Sequence, residues 1–178
     1  VRLSTNFRIY WDQILVGETA SSEPVRMTRL DTLSAELRAR GFSAEVRPNG
    51  SEPPIYDYTH VTEISPWKTM VGRYTREGDV KPLLAAVDDM FVITMDGDEI
   101  ALTFDGSSLD PLPNRWRRTY LRRAYGFSKE MDINSASPDV VEPLPFHSMS
   151  GYPYRKDEHY PDTPEHRRDR ETYNTRVI

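Results

Sequence analysis

The side chains with the most obvious chemical use lie in the last third of the chain. Asp132 and Asn134 have the alternate spacing of the first two ligands in a calcium loop, which puts two oxygens on one side of a turning backbone. The pattern then stops, because Ala136 stands at the third ligand position, Ser137 at the loop glycine and Pro143 where a bidentate acid belongs. An EF-hand is excluded. Calcium survives only as an irregular site on Asp132 and Asn134, set against an Asx turn in which both side chains bond the backbone. His147, His159 and His166, with Asp157, Glu158 and Glu165, offer zinc ligands whose spacing fits no compact site. Ser148 and Ser150 adjoin His147, but no strand-turn-helix nucleophile elbow surrounds them, so a metal-assisted or serine hydrolase is a minor alternative.

Paired carboxylates at Asp88 and Asp89, or at Asp96 and Asp98, have the composition of a glycosidase acid and base, yet such pairs next to strands are ordinary turn chemistry. Asp98 and Glu99 are expected to keep a strand edge soluble. Arg115, Arg117, Arg118, Arg122 and Arg123 interleave with Trp116 and Tyr120, as in a phosphate-tracking groove. On a strand these arginines would fall on both faces, and the net charge of -5 with a pI near 5.4 opposes a phosphate backbone, so nucleic acid is disfavoured. Trp11, Tyr56, Tyr58, Trp67 and Tyr74 could stack on pyranose rings, which makes a carbohydrate-binding module the alternative function. No catalytic residue and no cofactor can be assigned, and the leading expectation is a non-catalytic chain.

The elements that must position these groups are mostly strands. The chain has 178 residues, the size of one domain, and no cysteine, so disulfides and thiolate chemistry are absent while the redox compartment stays open. Its 3 Trp, 10 Tyr and 6 Phe supply an aromatic core despite an apolar content of 37%. Phe7, Ile9 and Trp11 alternate with polar residues, and the phase slips to Ile14 and Val16 through an expected bulge near Asp12. Val25 to Leu30 reads as a strand, and Leu33, Ala35, Leu37 and Ala39 alternate in the same way, although a helix is also open for that stretch. Pro48-Asn49-Gly50 marks a turn, followed by an extended, edge-like run from Glu52 to Tyr58.

The clearest local pattern runs from Met90 to Asp105, where Asp96-Gly97 predicts a two-residue type I′ hairpin. In that register Phe91, Ile93, Ile100, Leu102 and Phe104 share one dry face. Asp79 caps a predicted helix from Val80 to Val87, and Trp116 to Tyr125 leans toward strand. The fold class expected is mainly β, an antiparallel β-sandwich of jelly-roll type over residues 1–134, with one short helix.

From Ser135 to Ile178 the composition shifts to six Pro, four Tyr and three of the four His. These residues predict a second unit, an extended strap packed on the domain or on a partner. Trp67, Tyr74, Tyr152, Tyr154 and Tyr160 are the expected ligand- or partner-binding residues. The longest apolar runs are only a few residues, so no membrane span is expected. The chain starts at Val1 with no Met and no basic n-region, so the expectation is that it lies downstream of any secretion signal of a parent protein.

The phrases Ile9-Tyr10-Trp11-Asp12-Gln13-Ile14, Gly72-Arg73-Tyr74-Thr75-Arg76-Glu77-Gly78-Asp79-Val80 and Gly97-Asp98-Glu99-Ile100 occur in that order. They are followed by Lys129-Glu130-Met131-Asp132-Ile133-Asn134, Glu142-Pro143-Leu144-Pro145-Phe146-His147 and Tyr173-Asn174-Thr175-Arg176. With these phrases the chain resembles a C-terminal region of large bacterial FG-GAP or tetratricopeptide-repeat proteins that carry an ASPIC/UnbV module. The resemblance covers most of the chain, but neither the FG-GAP calcium loop nor the ASPIC/UnbV signature lies within it. It implies an accessory module of an often exported multidomain protein, extracytoplasmic in location, and the long aromatic, Pro-rich strap without a catalytic constellation adds the expectation that the module docks to other domains of its own protein or to a partner subunit. It carries over no catalytic residue.

Overall fold

The computed structural model describes residues 25–50 and 52–178, so the strand expected at Phe7 to Val16, its bulge and the candidate Trp11 lie outside the described residues. The chain is mainly β with antiparallel sheets. β1 (Thr32–Ala39), β2 (Phe42–Val46), β3 (Ile55–Thr62), β4 (Arg73–Tyr74), β5 (Gly78–Asp79) and β6 (Asp98–Phe104) precede helix α1 (Pro164–Tyr173) and β7 (Arg176–Val177). They form a three-stranded sheet in the order β5-β1-β6 and two strand pairs, β2-β3 and β4-β7.

β1 carries out the alternation of its sequence. Ala35 and Leu37 are buried, and Arg38 on the opposite face binds Glu99 across the sheet at 2.5 Å, in register with it. Around Ala35 and Leu37 the first core collects Val80, Leu83, Met90, Val92, Ile100, Leu102 and Tyr173. β2 and β3 close as a hairpin over Pro48–Gly50, where Asn49 and Gly50 take positive φ of 58° and 72°.

The hairpin expected between residues 90–95 and 98–104 is replaced by a long-range pairing. The turn itself forms, with Gly97 at φ 88° and Asp98 N donating to Met95 O at 3.1 Å. Only Gly97 has positive φ, so the turn is not of type I′. β6 pairs with β1, Ile100 facing Leu37 and Leu102 facing Ala35. Residues 90–95 do not pair with β6, because the backbone of Ile93 is engaged by Thr75: Ile93 N donates to Thr75 Oγ1 at 2.8 Å and Ile93 O accepts from Thr75 N at 3.0 Å. This segment therefore divides its side chains. Met90 and Val92 join the first core, while Ile93 and Met95 join a second around Met70, Tyr74 and Val141. Phe104 is 43% exposed, so the expected common dry face keeps Ile100 and Leu102 only.

Other expectations are corrected as well. Residues 25–30 form no strand; Val25 and Met27 are more than 80% exposed. Trp116 to Tyr125 is not a strand either, and every residue there is exposed. The helix expected at Val80 to Val87 is a single 3-10 turn at Lys81–Leu84, with Asp79 Oδ1 accepting from Lys81 N at 2.9 Å. Among the described residues the α-helix is α1, inside the segment expected to be an extended strap. Thr163 caps it and Pro164 opens it, where a missing N–H costs nothing.

Residues 139–178 return to the body. Val141 N donates to Val71 O, Gly72 and Ile178 exchange backbone bonds, and Arg76 N donates to Tyr173 O. Gly72, at φ 151°, permits this approach, since a Cβ there would lie 2.7 Å from Val141 Cβ. Arg176 forms an ion pair with Asp98, whose side chain is 2% exposed. Asp98 is thus a buried partner of the C-terminal segment and not a solubilising group on a strand edge.

Candidate functional site

An open cleft of about 520 Å³ lies where β4, α1 and the loop 142–144 meet. Ile93, Pro143 and Leu144 supply its apolar floor and Tyr154 and Tyr160 its aromatic wall; Arg73, Arg167, Arg170, Glu142, Glu171 and Asn174 form a polar rim. The spacing 167, 170, 171 on α1 puts its three charged groups on one helix face.

The cleft is braced from several sides. Lys129 Nζ donates to the carbonyls of Val140, Val141 and Glu142 at 2.5, 3.0 and 3.0 Å, and Tyr152 OH donates to Pro143 O at 2.8 Å, which fixes the loop bearing Glu142. Burial pushes the Lys129 ammonium below its usual pKa, partly opposed by Glu142. Asp162 takes hydrogen bonds from Arg167 and Arg170, which hold its carboxyl below the usual range. Arg170 in turn lies over the Tyr160 ring, 5.5 Å from its centroid. Tyr160 OH donates to Asp89 O, and burial pushes the phenol up to about 12. Asn174 is 4% exposed and its Oδ1 accepts from Thr75 Oγ1 at 3.1 Å.

Of the residues expected to bind a ligand or partner, Tyr154 and Tyr160 line this cleft, and Tyr152 stands 6.2 Å from Tyr154 in the same aromatic group. Tyr74 is only 4% exposed with its OH on Met70 O, so it is a core residue and no stacking platform. Trp67 is 53% exposed and Tyr58 71%, but neither lines the cleft. The rim was missed in the sequence, although Thr163-Pro164 marks the start of the helix that carries three of its members.

The remaining chemical candidates separate. Asp132 Oδ1 accepts from Asn134 N at 2.8 Å, as in the Asx turn weighed above, but the Asn134 side chain bonds the same carboxylate at 2.9 Å and not the backbone; these bonds lower the Asp132 pKa. His147 Nδ1 lies 2.6 Å from Asp89 and His166 Nδ1 2.8 Å from Thr163, whereas His159 is exposed. Among the described residues no three His, Asp or Glu side chains converge to hold a metal ion. Ser150 Oγ donates to the Glu158 carboxylate at 2.6 Å, so its partner is that carboxylate and not His147. Asp96 is raised by burial and then by Asp98. No described helix is long and apolar enough to cross a membrane.

Comparison of the chain with family models, with curated proteins and with solved structures gives no match.

Proposed function

We propose that the chain is a non-catalytic accessory module of a larger, exported multidomain bacterial protein, docking to other domains of that protein or to a partner subunit outside the cytoplasm. The phrases by which the chain resembles a C-terminal region of FG-GAP or tetratricopeptide-repeat proteins carrying an ASPIC/UnbV module support that placement, and the antiparallel pairing of its strands supports a β-sandwich over residues 1–134. One observation carries the docking role. Between residues 111 and 129 the chain holds five arginines and no acid, and Leu112, Trp116, Tyr120, Leu121, Tyr125 and Phe127 are all between 39% and 86% exposed. Scattered exposed apolar residues are ordinary, but six large ones along one basic stretch are the composition of a contact surface. Arginine and aromatic residues dominate binding energy at such surfaces, and an acidic partner face is the complement.

Hydrogen exchange tests this reading. The amides of residues 111–129 are expected to exchange freely in the isolated chain and to gain protection in the full-length parent. Equal exchange in both states rejects docking through this stretch. A carbohydrate-binding module is the second reading, favoured by the two tyrosines and the polar rim of the cleft.

A further inference from the structure

We propose that the cleft between α1 and the loop 142–144 is a saccharide site, with Tyr154 as the stacking ring of an aromatic wall shared with Tyr160, and Arg73, Glu142, Glu171 and Asn174 as the hydroxyl-binding rim. This deepens the second reading above and is independent of docking through residues 111–129. The rim contains both kinds of uncommitted polar group. Among the described residues the Arg73 guanidinium and the Asn174 amide nitrogen donate no hydrogen bond, and the Glu142 and Glu171 carboxylates accept none. Asn174 is the most telling of the four, because its side chain is almost wholly buried, its oxygen is already held by Thr75, and it lines the cleft.

A sugar hydroxyl donates one hydrogen bond and accepts others, so a polyol needs donors and acceptors side by side. A free phosphate or sulfate would use the donors and be repelled by both carboxylates; a metal ion would use the carboxylates and be repelled by Arg73. The Tyr154 ring beside the apolar side chains of Ile93, Pro143 and Leu144 suits the C–H face of a pyranose, with Tyr160 held behind it under Arg170, and the cleft volume falls in the range of small-molecule sites. The parts are also held in place before any ligand arrives. Lys129 and Tyr152 fix the loop bearing Glu142, Thr75 fixes Asn174, and Arg170 together with the Asp89 carbonyl fixes Tyr160. Little ordering is then left to oppose binding.

The test is affinity electrophoresis of the complete chain in gels cast with hydroxyethyl cellulose, xylan or polygalacturonate, beside a broad glycan array and calorimetric titration with oligosaccharides of any retarding polymer. Retardation by at least one polymer is expected. Arg73→Ala and Glu142→Gln should each weaken it about tenfold or more at an unchanged melting temperature, while Trp67→Ala leaves it intact. Three results overturn the assignment: no polymer or array sugar bound; binding that survives both cleft variants, whatever Trp67→Ala does; or calorimetric heat from inorganic phosphate with none from any sugar. None of these bears on exchange protection at residues 111–129, so the two proposals fail separately.

Discussion

The segment closing with β7 and the segment 111–129 solve the same problem in opposite ways. Each follows a run of strand-forming or aromatic residues, and each must place backbone polar groups somewhere. Residues 139–178 direct theirs back to residues 71–76: Val71 with Asp139 and Val141, Gly72 with Ile178, and Arg76 with Tyr173, while the side chains of Thr75 and Asn174 bond across 99 positions of sequence. Residues 111–129 contribute only Trp116 N to Pro113 O among the described backbone pairs, and leave their large side chains in water. Aromatic content therefore does not decide whether a segment is core. What decides it is whether long-range partners exist for its backbone.

The contrast can be broken at its strongest point first. Asp98→Ala leaves Arg176 with Glu77 only at 3.8 Å, and removes the acceptor for Met95 N; a loss of about 3–5 kcal/mol is expected in urea unfolding. A loss below about 1 kcal/mol would show the pair to behave as a surface ion pair. Next, Thr75→Val keeps the shape of a fully buried side chain but strips the hydroxyl that Ile93 N and Asn174 both use. About 2–3 kcal/mol should be lost, and faster exchange at the Ile93 amide should accompany it; protection at Ile93 equal to wild type would contradict the role given to Thr75.

A smaller effect comes with alkaline pH. Because Tyr160 is held neutral in the fold up to about 12, while the unfolded phenol ionises near 10, its stabilising share is complete below pH 10 and disappears as pH rises toward 12. Tyr160→Phe should flatten that part of the pH-stability curve, and an unchanged slope would refute the assignment. The least effect belongs to the other region: Tyr120→Ser and Leu121→Ser should each shift stability by under about 0.5 kcal/mol, since neither side chain is buried. A shift of core size would place these residues in the interior.

Local features were the legible part of the sequence. The alternation from Leu33 to Ala39 pointed to β1 with a helix left open, and Pro48-Asn49-Gly50 marked the turn but not the β2-β3 pairing across it, because strand period and turn chemistry act within a few residues. Asp96-Gly97 marked a turn but not the partner of the strand after it, since β1 lies some sixty positions away and Thr75 had already claimed Ile93. α1 was hidden for a different reason. Its residues Pro164–Tyr173 are almost all polar and show no apolar stripe, so only the Thr163 cap and Pro164 announced it. Tyr154 and Tyr160 of the cleft were anticipated from composition, but Arg73, Glu142 and Asn174 come from three distant segments and meet only in three dimensions.

Lys129 offers a chemical use for this architecture. Its three donors are all taken by carbonyls of the loop 140–142, so its amine is sheltered by the contacts that build one wall of the cleft. An acylating reagent should label the exposed amines of Lys68, Lys81 and Lys156 and spare Lys129 as long as that wall stands. The mass of a single proteolytic fragment then becomes a gauge of whether the wall is closed or has come apart.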